Sequence, residues 1–195
     1  MQAIRICFVG DSIVNGTGDE TALGWAGRLC AEANLRGQIT YYNLGIPGDT
    51  SADLRARWEG ECALRLPADC DGRVVFSCGI NDMLIDDGQL RVPLEQSRAN
   101  LQAILRQARE NYHVLLVGPT PVSDAQHNQR LAEIAEIYGQ VAAQLEVPYI
   151  DLFNALVCDA AYRAEIARTD GAHPRSGGYL QIAWLIRASP QWWFG

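Results

Sequence analysis

The sequence predicts an α/β protein with a largely parallel sheet, and three observations carry that reading. Five short apolar runs with strand character, residues 4–9, 39–44, 74–78, 114–117 and 148–152, alternate with longer stretches of helical periodicity. Strand–helix alternation of this kind builds crossover units and hence parallel strands. The runs are continuously apolar, as strands are when helices cover both faces of their sheet. No internal repeat, low-complexity tract or Pro/Gly-rich linker divides the 195 residues, so one domain spanning residues 1–195 is expected.

Taken in order, the run at 4–9 is interrupted only by Arg5 and stops at Gly10. Residues 25–35 place Leu29 and Leu35 among Ala and Arg. Residues 51–66 carry Leu54, Trp58, Cys62 and Leu66 at spacings near four. The helix expected over 93–109 has Leu94, Leu101, Ile104, Leu105 and Ala108, with Pro93 well placed at its start. Residues 125–145 put Leu131, Ile134, Ile137, Tyr138, Val141 and Leu145 on one stripe. Asp124 sits where that helix needs an N-cap. A last helix over 176–187 contains Leu180, Ala183, Trp184 and Ile186.

Composition removes several function classes. The net charge of −7 makes nucleic acid and anionic membrane surfaces poor partners. All 16 basic residues are arginine, which excludes P-loop, Schiff-base and Ser-Lys chemistry. No apolar run approaches the roughly 18 residues of a membrane span. No basic segment followed by a hydrophobic one precedes the first strand, so a cytoplasmic protein is expected. The cysteines, Cys7, Cys30, Cys62, Cys70, Cys78 and Cys158, form no C-x-x-C pair. They read as reduced core residues and not as zinc ligands, with a Cys62–Cys70 bridge left open.

In an open parallel sheet, ligands bind beyond the carboxyl ends of the strands. The residues at those ends are polar and glycine-rich. Gly10-Asp11-Ser12 follows the first strand, and Asn43-Leu44-Gly45-Ile46-Pro47-Gly48-Asp49-Thr50 closes the second. Cys78-Gly79-Ile80-Asn81-Asp82 follows the third, and Thr169-Asp170-Gly171-Ala172-His173-Pro174 precedes the last helix. A serine hydroxyl needs a base to act as a nucleophile, and an imidazole needs a carboxylate to fix its tautomer. There are three histidines. His113 opens a strand and is expected to be structural or merely exposed. His127 and His173 both have an acid three residues earlier, Asp124 and Asp170, so spacing alone does not separate them. Context favours His173. Its tight loop, made with Gly171 and Pro174, can turn both side chains the same way, whereas Asp124 is wanted as a cap. The Ser12 and Gly48 amides and the Asn81 side chain are candidate donors to an oxyanion. Turn roles for Gly48 and Asn81 compete with that reading.

Four blocks together resemble the SGNH, or GDSL-type, hydrolases: Gly10-Asp11-Ser12-Ile13, the stretch from Asn43 to Thr50, Gly79-Ile80-Asn81-Asp82, and Asp170-Gly171-Ala172-His173-Pro174. They occur in the family's order across residues 10–174. Ile13 replaces the usual leucine. The resemblance implies a flavodoxin-like three-layer α/β/α sandwich with a five-stranded parallel sheet. It implies a catalytic Ser12, Asp170 and His173, an oxyanion hole from Ser12, Gly48 and Asn81, and no metal or other cofactor. The α/β-hydrolase elbow G-x-S-x-G is absent, because position 14 is Val.

The expected function is hydrolysis of carboxylic esters, short-chain ones first, through an acyl-enzyme on Ser12. Carbohydrate O-deacetylation and thioester hydrolysis are alternatives on the same three residues. Two readings belong to other classes. One is a metal-dependent phosphoesterase using Asp11, Asp49, Asp82, Asp170 and His173. The other is a non-catalytic binding module. Asp11 and Asp49 are otherwise expected to bond loop amides. Ile13, Ile46, Ile80, Met83, Leu84 and residues 118–125 are candidates to line the substrate pocket. The apolar tail Trp192-Trp193-Phe194 is expected either to dock on the domain or to meet a second subunit in a homo-oligomer.

Overall fold

The structure, a computed structural model, describes residues 3–34 and 37–194. In chain order its strands are β1 (Ile4–Gly10), β2 (Ile39–Gly45), β3 (Asp71–Ser77), β4 (Ile85–Asp86), β5 (Gln89–Leu90), β6 (His113–Val117) and β7 (Tyr149–Ile150). Five of them form one parallel sheet in the order β2-β1-β3-β6-β7. This is the flavodoxin-like doubly wound order, in which the chain reverses direction across the sheet between β1 and β3. β4 and β5 form a separate antiparallel hairpin.

The helices are α1 (Ser12–Asn15), α2 (Gly24–Ala33), α3 (Ser51–Ala63), α4 (Leu94–Ala108), α5 (Ala125–Gln144), α6 (Leu152–Leu156), α7 (Ala160–Ala167) and α8 (Ser176–Ala188). They fall into two packed groups, α2 with α8 and α7, and α3 with α4 and α5. These are the outer layers of the sandwich. Between them the middle strands are sealed: Ile6 to Val9, Val74 to Phe76 and Leu115 to Val117 are all fully buried. Burying apolar side chains on both faces contributes roughly 25 cal/mol per Å² removed from water, which explains the unbroken apolar runs. β2 departs from that rule. It is the edge strand, and only Leu44 in it is buried.

Several boundaries differ from the sequence reading. β3 begins three residues early, because Asp71, Gly72 and Arg73 pair with Ile4, Arg5 and Ile6 through the backbone ladder, which ignores side-chain polarity. The fifth run pairs over only two residues, since Leu152 already opens α6 with Asp151 as its cap. The short helices α1, α6 and α7 and the β4–β5 hairpin carry too few residues for a periodic signal. Leu35 lies outside the described residues. All six cysteines are unpaired, and Cys62 meets the Cys7 thiol in the core. The tail docks on its own domain: Trp192 is buried, and the Arg73 guanidinium lies 5.3 Å from the Trp193 ring centre and 4.9 Å from that of Phe194. Among the described residues no helix is long and apolar enough to cross a membrane.

Candidate active site

The site lies at the carboxyl end of the sheet, where β1 and β3 diverge. β1 ends at Gly10, and Asp11 caps a single helical turn by accepting the Ile13 amide at 2.9 Å. Ser12 is thereby the first residue of α1. From the far end of the chain, His173 Nε2 approaches Ser12 Oγ to 2.7 Å. On its other side, His173 Nδ1 lies 2.6 Å from Asp170 Oδ2.

An ionised carboxylate only accepts, so Nδ1 carries the imidazole proton and Nε2 accepts from the serine hydroxyl. Asp170 is ionised at neutral pH. Burial works against its charge, but the His173 amide and imidazole and the Ala172 amide outweigh it and hold the carboxyl at about 2. Those two amides both donate to Asp170 Oδ1, at 2.9 and 3.0 Å. One carboxylate therefore closes the turn and grips the ring. Beneath the serine, burial pushes the Asp11 carboxyl up to about 7, against the pull of the Ile13 amide and His173.

Asn81 stands beside Ser12 in the same cavity. Its amide donates one N–H to the Asp49 carbonyl at 2.9 Å, which leaves the second for a ligand. Gly48 holds a φ of +88°, a conformation that side chains disfavour. A Cβ there would meet nothing, so backbone freedom and not close packing calls for glycine. Its carbonyl accepts from Arg91 at 3.0 Å. Gly48 does not line the cavity that holds Ser12, Asn81 and His173.

The other acids are engaged separately. Asp49 pairs with Arg57 at 2.6 Å instead of bonding loop amides, a partner eight residues away on α3. Asp82 is fully buried and accepts the Ser51 amide at 2.7 Å and the Ser97 hydroxyl at 2.5 Å. Among the described residues, no three His, Cys, Asp or Glu side chains are grouped to hold a metal ion. His113 is largely exposed at the opposite end of the sheet, 3.8 Å from Asp71. His127 is buried, with Nε2 3.0 Å from the Ile80 carbonyl and not against its own Asp124.

The cavity over Ser12 has a volume of about 370 Å³. Ile13, Ile80, Leu84 and Val122 form its apolar wall, and Ser123, Asp124 and His127 border it as well. Two sequence candidates fall outside. Met83 is 0% exposed and belongs to the core. Ile46 is 42% exposed but faces elsewhere. In an irregular loop no period tells which side chain turns inward. Ala172 and His127 went unrecognised as lining residues; the polar character of the loop before α8 was the available signal for the first. A larger groove of about 850 Å³ beside α5 and α7 contains none of Ser12, Asn81 or His173, so size does not mark the chemistry here.

A parallel sheet in this order, presenting a serine, an imidazole and a carboxylate at its switch point, is the architecture of serine-dependent ester hydrolases. The chain belongs to the GDSL-like lipase/acylhydrolase family, whose sequence profile matches residues 8–180. It is a carboxylic ester hydrolase. No curated protein sequence matches the chain. Among solved structures, it is similar to the lipase/acylhydrolase from Enterococcus faecalis, with 26% identity, a TM-score of 0.78, and 94% of this chain and 93% of that one covered. It is also similar in fold to the acetylxylan esterase from Geobacillus stearothermophilus, with 23% identity, a TM-score of 0.79, and 94% and 92% covered.

Proposed function

We propose that Ser12 is the nucleophile, His173 the general base and Asp170 its orienting acid in the hydrolysis of short-chain carboxylic esters. One observation carries this reading: a hydroxyl, an imidazole and a carboxylate joined in series at 2.7 and 2.6 Å. His173 Nε2 takes the Ser12 proton as Oγ attacks the acyl carbon. The Ser12 amide and the free Asn81 N–H hold the oxyanion, with the Gly48 amide, one residue before the Asp49 carbonyl that Asn81 grips, as the third donor. The imidazolium then gives its proton to the departing alkoxide, leaving an acyl-enzyme. Water attacks that ester with His173 again as base, and the acid leaves as Ser12 regains its proton.

The apolar wall of Ile13, Ile80 and Leu84 in a cavity of about 370 Å³ supports a short acyl group. The chain acts as one catalytic unit over residues 1–195 in this reading. Its six unpaired cysteines support a reducing, cytoplasmic setting. The test is Ser12→Ala. Hydrolysis of p-nitrophenyl acetate and covalent labelling by a fluorophosphonate should both vanish while the thermal melt persists. Turnover that survives the change sinks the assignment. A panel of p-nitrophenyl esters of rising chain length, an acyl thioester and acetylated xylooligosaccharide ranks the substrates. The sugar acetate is included because the similar Geobacillus enzyme is named for it.

A further inference from the structure

We infer that His127 is a positioning residue for the Asn81 amide, acting through the carbonyl of Ile80. The inference rests on the proposed oxyanion role of Asn81. The loop from Gly79 to Met83 carries that side chain, and the loop's own backbone bonds are long: Met83 N to Gly79 O is 3.3 Å and Leu84 N to Asn81 O is 3.4 Å. Its shape is therefore set from outside. Helix α5 supplies two donors. His127 Nε2 lies 3.0 Å from the Ile80 carbonyl, and Arg130 Nε donates to the Met83 carbonyl at 2.8 Å.

A carbonyl oxygen only accepts, so His127 must carry its proton on Nε2. The Ile80 carbonyl belongs to the peptide that leads into Asn81, so this bond fixes that peptide plane. On the other side of Asn81, Asp82 is anchored by Ser51 and Ser97. Asn81 is thus gripped by its neighbours on both sides, while its own amide is turned by the Asp49 carbonyl. The clamp is itself held. Asp124 accepts the His127 amide at 2.5 Å, which secures the first turn of α5. Burial lowers the imidazole's affinity for a proton, with Arg130 adding to it, and outweighs the opposing pull of the Ile80 carbonyl and Asp124, so the ring is neutral with one proton to donate. An oxyanion donor is effective only if aimed before the charge develops, because reorganising it during the reaction forfeits the gain.

The test uses four variants of the full chain, Asn81→Ala, His127→Phe, His127→Gln and the double variant Asn81→Ala/His127→Phe. Turnover of p-nitrophenyl acetate is normalised to the fluorophosphonate-labelled fraction, so that unfolded protein does not count. Asn81→Ala should lower kcat by on the order of 100-fold. His127→Phe keeps the ring volume without the donor and should lower kcat about tenfold, with KM within about twofold. His127→Gln replaces the donor and should recover most of the loss. In the Asn81→Ala background, His127→Phe should change kcat by less than about twofold, since the group it aims is gone. Losses that multiply in the double variant overturn the inference. So does a raised KM at unchanged kcat, which means direct contact with substrate, or a failure of Gln to rescue. If Asn81→Ala itself leaves kcat intact, the oxyanion reading falls instead and takes this inference with it.

Discussion

Asp124 and Asp170 each lie three residues ahead of a histidine, and each accepts that histidine's backbone N–H, at 2.5 and 2.9 Å. There the likeness ends. Asp170 also meets its own histidine's ring at 2.6 Å, whereas the His127 ring reaches the carbonyl of Ile80, 47 positions upstream. The difference comes from the backbone on the C-terminal side of each acid. α5 runs on for 20 residues from Ala125, so His127 is already helical, and a helical side chain leans back toward the helix N-terminus. His173 is not in a helix. Gly171 ahead of it takes a φ of +87°, and Pro174 behind it biases its backbone toward extended forms, with α8 starting only at Ser176. One acid–histidine spacing thus yields a gripped imidazole in an open turn and a redirected one at a helix start.

Equivalent changes in the two turns should therefore carry unequal costs. Removing the proposed base with His173→Ala should lower kcat at least about 10³-fold, far beyond the effect expected of His127→Phe. Asp170→Asn keeps the turn but spoils the tautomer, and should lower kcat by about 10² to 10⁴-fold. Its counterpart, Asp124→Ala, should cost about 1 kcal/mol of stability through the lost cap, read as a shifted urea midpoint, while kcat falls less than about threefold. A large kcat loss from Asp124→Ala, or a small one from Asp170→Asn, would erase the distinction between the two turns.

The finest test is the pH dependence of stability. Asp170 is held below the ordinary carboxylate value of 3.8, at about 2, so its contribution is present above 3.8 and is lost as pH falls toward 2. Asp11 has the opposite sign. Its folded value of about 7 lies above 3.8, so the folded state binds the extra proton, and stability declines as pH rises from 3.8 to 7. Urea midpoints of Asp170→Asn should lose the acid limb, and those of Asp11→Asn should lose the decline toward neutrality. Unchanged profiles would contradict the burial argument for Asp11 and the hydrogen-bond argument for Asp170.

Much of the architecture was legible because the signals are short-range. Apolar runs marked the middle strands, and caps and stripes marked the long helices. Gly10-Asp11-Ser12 and Cys78-Gly79-Ile80-Asn81 stood out because each is the polar or glycine-bearing stretch at the end of a buried strand. Side-chain direction in irregular segments was not legible. Met83 is the direct neighbour of Leu84, which lines the cavity, yet it turns into the core, while Ile46 stays exposed outside the cavity. Asp49 found Arg57 across a loop and two turns of α3, a contact that only the packed helix creates.

The sequence by itself determined which of the longer elements form, in what order, and which reactive side chains stand at their ends, since hydrophobic period, caps and turns are properties of neighbouring residues. Sequence context favoured His173 over His127, but the contact of its imidazole with the hydroxyl was made by the tertiary structure. Ser12 and His173 are 161 positions apart. They meet because the sheet order places the end of β1 beneath the loop before α8, and the burial of the whole core, not any local preference, holds them there.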